Sequence, residues 1–240
     1  MKKLFLLIAG FSIIMSSCHF MGGKRIRGNG VVKTESRTAG SFTNVDVSGN
    51  INVYVRQDSV SAIKVEADEN LMEYIEISVD GNTLYIKPRR GTNLRSSGGI
   101  KVYVSNPSYT NFEASGASDI YGENKITSDA TIGIDLTGAS SVEMELRSPA
   151  VDADLSGASN ILLKGETKKI HAHAAGASDI KCFELMTEEA DISVSGASHA
   201  KVFASVKLQA DASGASGVEY KGNPSVSQET SGASSMKKVE

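Results

Sequence analysis

The chain has 240 residues and a mass of 25.3 kDa, with 40% apolar residues, 22% charged residues and a formal net charge of −3. That is enough apolar material for one domain with its own core, which excludes a disordered tail or a mini-protein. Four prolines, 23 glycines, no tryptophan and 6% aromatics, with Val and Ile in short alternating runs, point to a β protein of small residues. A pI near 5.9 excludes the basic footprint of a nucleic-acid binder.

At the N-terminus, Lys2 and Lys3 precede an apolar run from Leu4 to Met15. The run is too short to span a bilayer and has the length of a signal-peptide core. It ends in Met15-Ser16-Ser17-Cys18, small residues and then a cysteine, and so resembles a bacterial lipoprotein signal. The resemblance implies removal of residues 1–17 and lipidation of Cys18, whose acyl chains would anchor the protein at about 0.8 kcal/mol per buried methylene. Without Lys2 and Lys3 the net charge becomes −5, an acidic mature body. Residues 18–40 open with a glycine-rich, non-alternating stretch and read as a flexible tether. The only other cysteine, Cys182, stands in a strand-like run beside Ile180 and Phe183, which excludes a disulfide in the mature chain and suggests a small core residue.

From residue 41 the chain reads as one β domain, irregular over 41–111 and regular over 112–240. Phe42 to Val55 and Ile63 to Ala67 alternate as strands, Asn70 to Tyr74 suits one helical turn, and Ile77 to Lys87 suits a hairpin around Asp80-Gly81-Asn82. We assign this part to the capping end of the domain. Lys87, Arg89, Arg90 and Arg95, in a run without acids that reaches Gly99, suggest a projecting basic loop able to contact an anionic partner.

The regular part repeats Ser-Gly-Ala-Ser or a close variant around Gly116, Gly138, Gly157, Gly176, Gly196, Gly214 and Gly232, with Ser48-Gly49-Asn50 as a degenerate earlier copy. The glycines are 22, 19, 19, 20, 18 and 18 residues apart. Apolar residues recur two and four positions before the first six glycines, as in Ile134 and Leu136, and four and six positions after them, as in Ile161 and Leu163, with mostly polar residues between. This is period-two alternation on both sides of a turn. The turn residues suit a corner where glycine takes positive φ and stacked serines exchange hydrogen bonds. The segments between copies are too short for a helical return. The expectation is therefore an all-β, single-stranded, right-handed parallel β-helix with coils of about 19 residues spaced about 4.8 Å apart. Charges in Lys237-Lys238-Val239-Glu240 would blunt the edge of its last coil.

The run from Phe42 through Val47-Ser48-Gly49-Asn50 to Val55, then Val65 to Asn70, then Gly81 to Ile86, followed by the Ser-Gly-Ala-Ser copies, resembles the head GIN domain family of bacterial envelope lipoproteins. The resemblance covers nearly the whole mature chain. It implies a right-handed β-helix in the envelope of a Bacteroidetes-type bacterium, and an adhesin by label only. Surface-exported lipoproteins of those bacteria tend to carry acids behind the lipidated cysteine. Here His19 to Arg27 has none and has three basic residues, which favours a periplasm-facing anchor on the outer membrane.

Alignment on the glycines also stacks the outward positions three residues before them: Glu113, Asp135, Asp154, His173, Ser193, Asp211 and Glu229, beside Asp152, His171, Asp191 and Gln209. This is an acidic ridge. His171 and His173, with Asp152, Asp154 and Asp191 on neighbouring coils, could hold a divalent cation; no other cofactor is expected. Asp152, Asp154 and Asp191 are also the one carboxylate cluster that could serve a carbohydrate-active enzyme, a lyase or hydrolase. Short loops and the lack of tryptophan argue against that, and for a non-catalytic envelope protein that binds a protein or polysaccharide, with a structural periplasmic spacer as a further alternative.

Overall fold

The computed structural model describes residues 23–240; the leader 1–17 and Cys18 lie outside the described residues. In chain order the strands of the irregular part are β1 (Lys24–Arg27), β2 (Val32–Arg37), β3 (Asn44–Gly49), β4 (Asn52–Gln57), β5 (Ala62–Asp68), β6 (Ile75–Asp80), β7 (Thr83–Pro88), β8 (Thr92–Arg95) and β9 (Lys101–Asn106). The coils continue with β10 (Asn111–Gly116), β11 (Asp119–Gly122), β12 (Ile126–Thr127), β13 (Ile132–Leu136), β14 (Ser141–Leu155), β15 (Asn160–Ala174), β16 (Asp179–Val194), β17 (His199–Phe203), β18 (Lys207–Ala212), β19 (Gly217–Lys221), β20 (Ser225–Thr230) and β21 (Ser235–Lys238). A single 3-10 turn, Glu69–Tyr74, falls where the helical turn is expected.

The motif glycines all take φ between 76 and 85°. The alanine after each donates its N–H to the carbonyl of the glycine one coil below, at 2.7–2.9 Å. A Cβ on Gly157 would lie 2.5 Å from that same carbonyl, on Gly138. Glycine is therefore required twice at the corner, for its left-handed backbone and for the close approach that carries the hydrogen-bond ladder around the turn. Between corners, β14, β15 and β16 run from one motif to the next and pair in parallel, Val142 opposite Ile161 and Ile161 opposite Ile180. This is the expected parallel β-helix, of about six turns.

Each long strand contains a second corner. In β14, Val142, Met144, Leu146 and Ser148 point inward, then the alternation slips by one at Pro149–Ala150, and Val151, Ala153 and Leu155 point inward. At the slip the interior holds Ser148, Thr167 and Thr187, whose hydroxyls donate to the carbonyls of Ala150, Lys169 and Leu185 at 2.8, 3.1 and 3.1 Å. The polar group at the bend is thus satisfied locally.

The serines closing the motifs at Ser140, Ser159, Ser178 and Ser216 are buried and donate to the carbonyl three residues earlier, as in Ser159 to Ser156 at 2.8 Å and Ser178 to Ala175 at 3.0 Å. Ser178 also accepts from the coil below, the N–H of Ser159 reaching its Oγ at 3.3 Å. The ladder thus runs between hydroxyls and backbone. It stops at Ser118, whose neighbour below is Ile51 and whose buried hydroxyl has no partner. Cys182 is buried in the core as expected, and burial pushes its thiol up to about 12.

The irregular part reverses the direction of stacking. β3 and β4 form the first coil, but the chain then descends: β7 pairs in parallel below β3 and β9 below β4, while β10 and β11 return above them. Antiparallel strands close this end, β6 on β7, β5 on β9 and β2 on β5. Of the tether expected over 18–40, residues 23–40 are described and are corrected here. β1 pairs with β8, β2 pairs with β5 as an edge strand carrying Lys33, Glu35 and Arg37, and Ile26 packs against the core. The basic stretch 87–99 is also not a simple projecting loop, since β8 lies within it and Leu94 is buried.

Candidate functional site

The register sets the outer surface rung by rung. On the face before the glycine corner, Asp46, Glu113, Asp135, Asp154, His173, Ser193, Asp211 and Glu229 occupy successive rungs of one column. Asp152, His171, Asp191 and Gln209 follow one another in the next column. The acidic ridge read from the sequence is therefore real, and Asp46 extends it. None of its carboxylates is ion-paired among the described residues. Burial, and then the neighbouring Asp46 and Asp135, push the Glu113 carboxyl above its ordinary range; burial raises Asp46 against the opposing pull of Lys87.

The face after the corner is built the other way. Lys181 meets Asp179 at 3.4 Å, Lys201 meets Glu219 at 3.5 Å, and Lys164 meets Glu184 at 3.3 Å. At its N-terminal end Tyr54 stacks between Tyr103 and Tyr121, with ring centroids 5.1 and 5.2 Å apart, and Lys64 covers the outer face of Tyr103. These three tyrosines are separated in sequence by the descending excursion, so no local pattern announces the stack. A groove of about 680 Å³ follows the second corner, with Arg147, Glu166, Met186 and Phe203 along it.

His171 lies opposite Asp152 and Asp191, and His173 opposite Asp154. The residues are adjacent in register as expected, and among the described residues no three His, Cys, Asp or Glu side chains are grouped so as to hold a metal ion. Asp152, Asp154, His171 and His173 are exposed, and His173 borders a hollow of about 350 Å³ with Ser193, Asp211 and Glu229.

The basic residues of 87–99 divide. Lys87 lies over the Tyr85 ring, while Arg89 packs on Tyr74, donates to the Glu73 carbonyl and meets Glu76 at 3.7 Å. Arg90 and Arg95 are exposed and without ion pairs among the described residues. Arg95 shares a hollow of about 400 Å³ with Arg25 and Arg27 of β1. Beneath it, the buried Asp68 carboxylate accepts from Ser96 Oγ, from Ser97 Oγ at 2.7 Å and N–H at 3.1 Å, and from Gly30 N–H at 2.7 Å. Those bonds, Ser96 foremost, hold it down at about 2.

An all-β rod of stacked parallel coils, one face acidic and the next charge-compensated, defines a β-solenoid. The chain belongs to the family described as "Putative auto-transporter adhesin, head GIN domain", which matches residues 41–224. Among solved structures it is similar to a "putative adhesin" of Bacteroides fragilis, with 19% identity, a TM-score of 0.81 and coverage of 89% of this chain and all of that one. It is also similar to a "putative lipid binding protein" of Parabacteroides distasonis, with 22% identity, a TM-score of 0.77 and coverage of 90% and 100%. These identities establish a shared fold. No curated protein matches the chain.

Proposed function

We propose that the protein is a non-catalytic, lipid-anchored binding rod of the bacterial cell envelope, held in the outer membrane through Cys18 and engaging a protein or polysaccharide ligand through its acidic face. The observation that carries this reading is the column Asp46, Glu113, Asp135 and Asp154, four carboxylates on consecutive rungs with no ion pair among the described residues. Like charges facing one another across a strand pair are unfavourable, whereas the same backbone compensates its charges on the adjacent face. A ligand with positive charge at matching intervals relieves that repulsion and gains steering. The Lys2-Lys3 leader ending at Cys18 supports the anchor, and the adhesin names of the family and of a solved relative support a binding role.

Deletion of the gene should lower cell aggregation or retention on extracellular matrix. Wild type should restore it, and a chain carrying Glu113→Gln, Asp135→Asn and Asp154→Asn should not. Protease shaving of intact cells, with lysed cells as the control for cleavage, assigns the side on which the rod stands. Adhesion unchanged on deletion, in cells whose rod is protected from the protease, would refute an adhesive role.

A further inference from the structure

The strand pair β1 and β8 makes the N-terminal end of the rod basic in a way that neither segment announces alone. Ile26 and Leu94 turn toward the core, so Arg25, Arg27 and Arg95 take the opposite, solvent side. Arg27 stands directly opposite Arg95 across parallel strands, about 4.8 Å apart. Like charges at that spacing are unfavourable without an anion to share. All three line one hollow, and Lys24 and Arg90 are exposed on the flanking residues. None of the five is ion-paired among the described residues. No Asp or Glu precedes Glu35 in the sequence, so residues 1–22 hold no carboxylate to neutralise them. The Asp68 carboxylate, bonded to the Ser96 and Ser97 that line the same hollow, has both oxygens occupied by Gly30, Ser96 and Ser97.

This basic end contrasts with the regular coils, where residues 112–240 hold 11 Lys and Arg against 19 Asp and Glu. Without Lys24, Arg25 and Arg27 the mature charge of −5 becomes −8 over residues 28–240. The rod is therefore an acidic body with one cationic end, and Cys18 lies six residues before Lys24, at most about 20 Å of extended chain.

We infer that Arg25, Arg27 and Arg95 form a docking surface for anionic phospholipid headgroups, which seats the base of the rod on the bilayer beside the anchor and directs the acidic face away from it. The inference deepens the anchored reading and takes from it only the position of the membrane. Phosphate groups suit paired guanidinium forks. A basic patch beside an acyl chain supplies the second contact that makes anchoring stable and fixes orientation.

The test uses a chain of residues 19–240 without acyl groups, which holds the whole continuous core that begins at β1. It should co-sediment with phosphatidylglycerol and phosphatidylethanolamine vesicles at low ionic strength, despite its net negative charge, and be released by salt. Phosphatidylcholine vesicles should not retain it. At about fivefold per cation near an anionic surface, R25Q/R27Q/R95Q should lower partitioning by about 100-fold with a melting temperature no lower than that of wild type. The K164Q/K181Q/K201Q chain, with the same change in net charge on distant coils, should partition as wild type.

Equal loss in both triple variants, binding to neutral vesicles, or no binding at all would overturn the docking surface. So would saturable binding of inorganic phosphate at the three arginines without vesicle binding, which would assign the hollow to a free anion. Failure of palmitate to label Cys18 in cells while vesicle binding persists would remove the anchor and leave the docking surface standing.

Discussion

The regular coils and the irregular N-terminal end are continuous in one core but are held by different means. In the coils, every contact is repeated: the Gly138 carbonyl receives the Ala158 N–H as the Gly157 carbonyl receives that of Ala177. Each rung is held by the rungs above and below it. At the N-terminal end, contacts occur once. The carboxylate of Asp68 ties the segment after β1 and the Ser96-Ser97 turn after β8 to the end of β5, and Asn70 adds bonds to Arg27 and Asn29. Repetition spreads stability along a rod, whereas a cap that closes it concentrates stability in a few residues.

The largest effect should come from breaking a rung. Gly157→Ala places a methyl 2.5 Å from the Gly138 carbonyl at φ +85°, and should cost about 3 kcal/mol in chemical denaturation. Gly81→Ala, at positive φ but with no atom within 4 Å of the added methyl, should cost about 1 kcal/mol.

Breaking the cap comes next. Asp68→Asn should cost about 2 kcal/mol at neutral pH through weakened charged hydrogen bonds. The Asp68 carboxyl falls from an ordinary 3.8 to about 2 on folding, so its contribution is complete above about pH 4 and is lost as pH falls toward 2. Acid unfolding of Asp68→Asn should lack that component.

Two serines in the same motif position sharpen the contrast between a repeated and an interrupted ladder. Ser178→Ala removes a hydroxyl that donates to Ala175 and accepts from Ser159, and should cost about 1 kcal/mol. Ser118→Ala removes a buried hydroxyl without a partner and should be neutral or stabilising by a few tenths of a kcal/mol. Equal losses at the two sites would show that the ladder position itself, rather than its hydrogen bonds, is what matters.

The smallest effect concerns the acidic column. Glu113→Gln should stabilise by about 0.5 kcal/mol at low salt, less at high salt. The carboxyls of Glu113 and Asp46 are raised in the fold, so stability should rise as pH falls from neutral through their titration, until the loss at Asp68 reverses it. A thermal-melting series against pH should therefore pass through a maximum on the acid side of neutrality.

What was legible in the sequence follows the same division. The Gly-Ala-Ser corner could be read because one steric requirement recurs at a fixed interval, and the acidic column because register follows from that interval. The second corner could not, since Ser148, Thr167 and Thr187 satisfy their hydroxyls locally and share only a small polar side chain. β1 could not either: Lys24-Arg25-Ile26-Arg27 has one apolar residue, and its partner lies nearly 70 residues away. The descent of β7 and β9 below the first coil is likewise a matter of long-range pairing. So the tether and the loop read from local composition became strands, and the arginines they carry came together only in three dimensions.

The anchor at Cys18 tests the account most directly. Cells should be labelled with palmitate and fractionated, comparing wild type with Cys18→Ala. Wild type should carry the label and sediment with the outer membrane, and Cys18→Ala should be unlabelled and leave that fraction at high salt. An unlabelled wild type recovered in the soluble fraction would contradict a membrane-tethered rod.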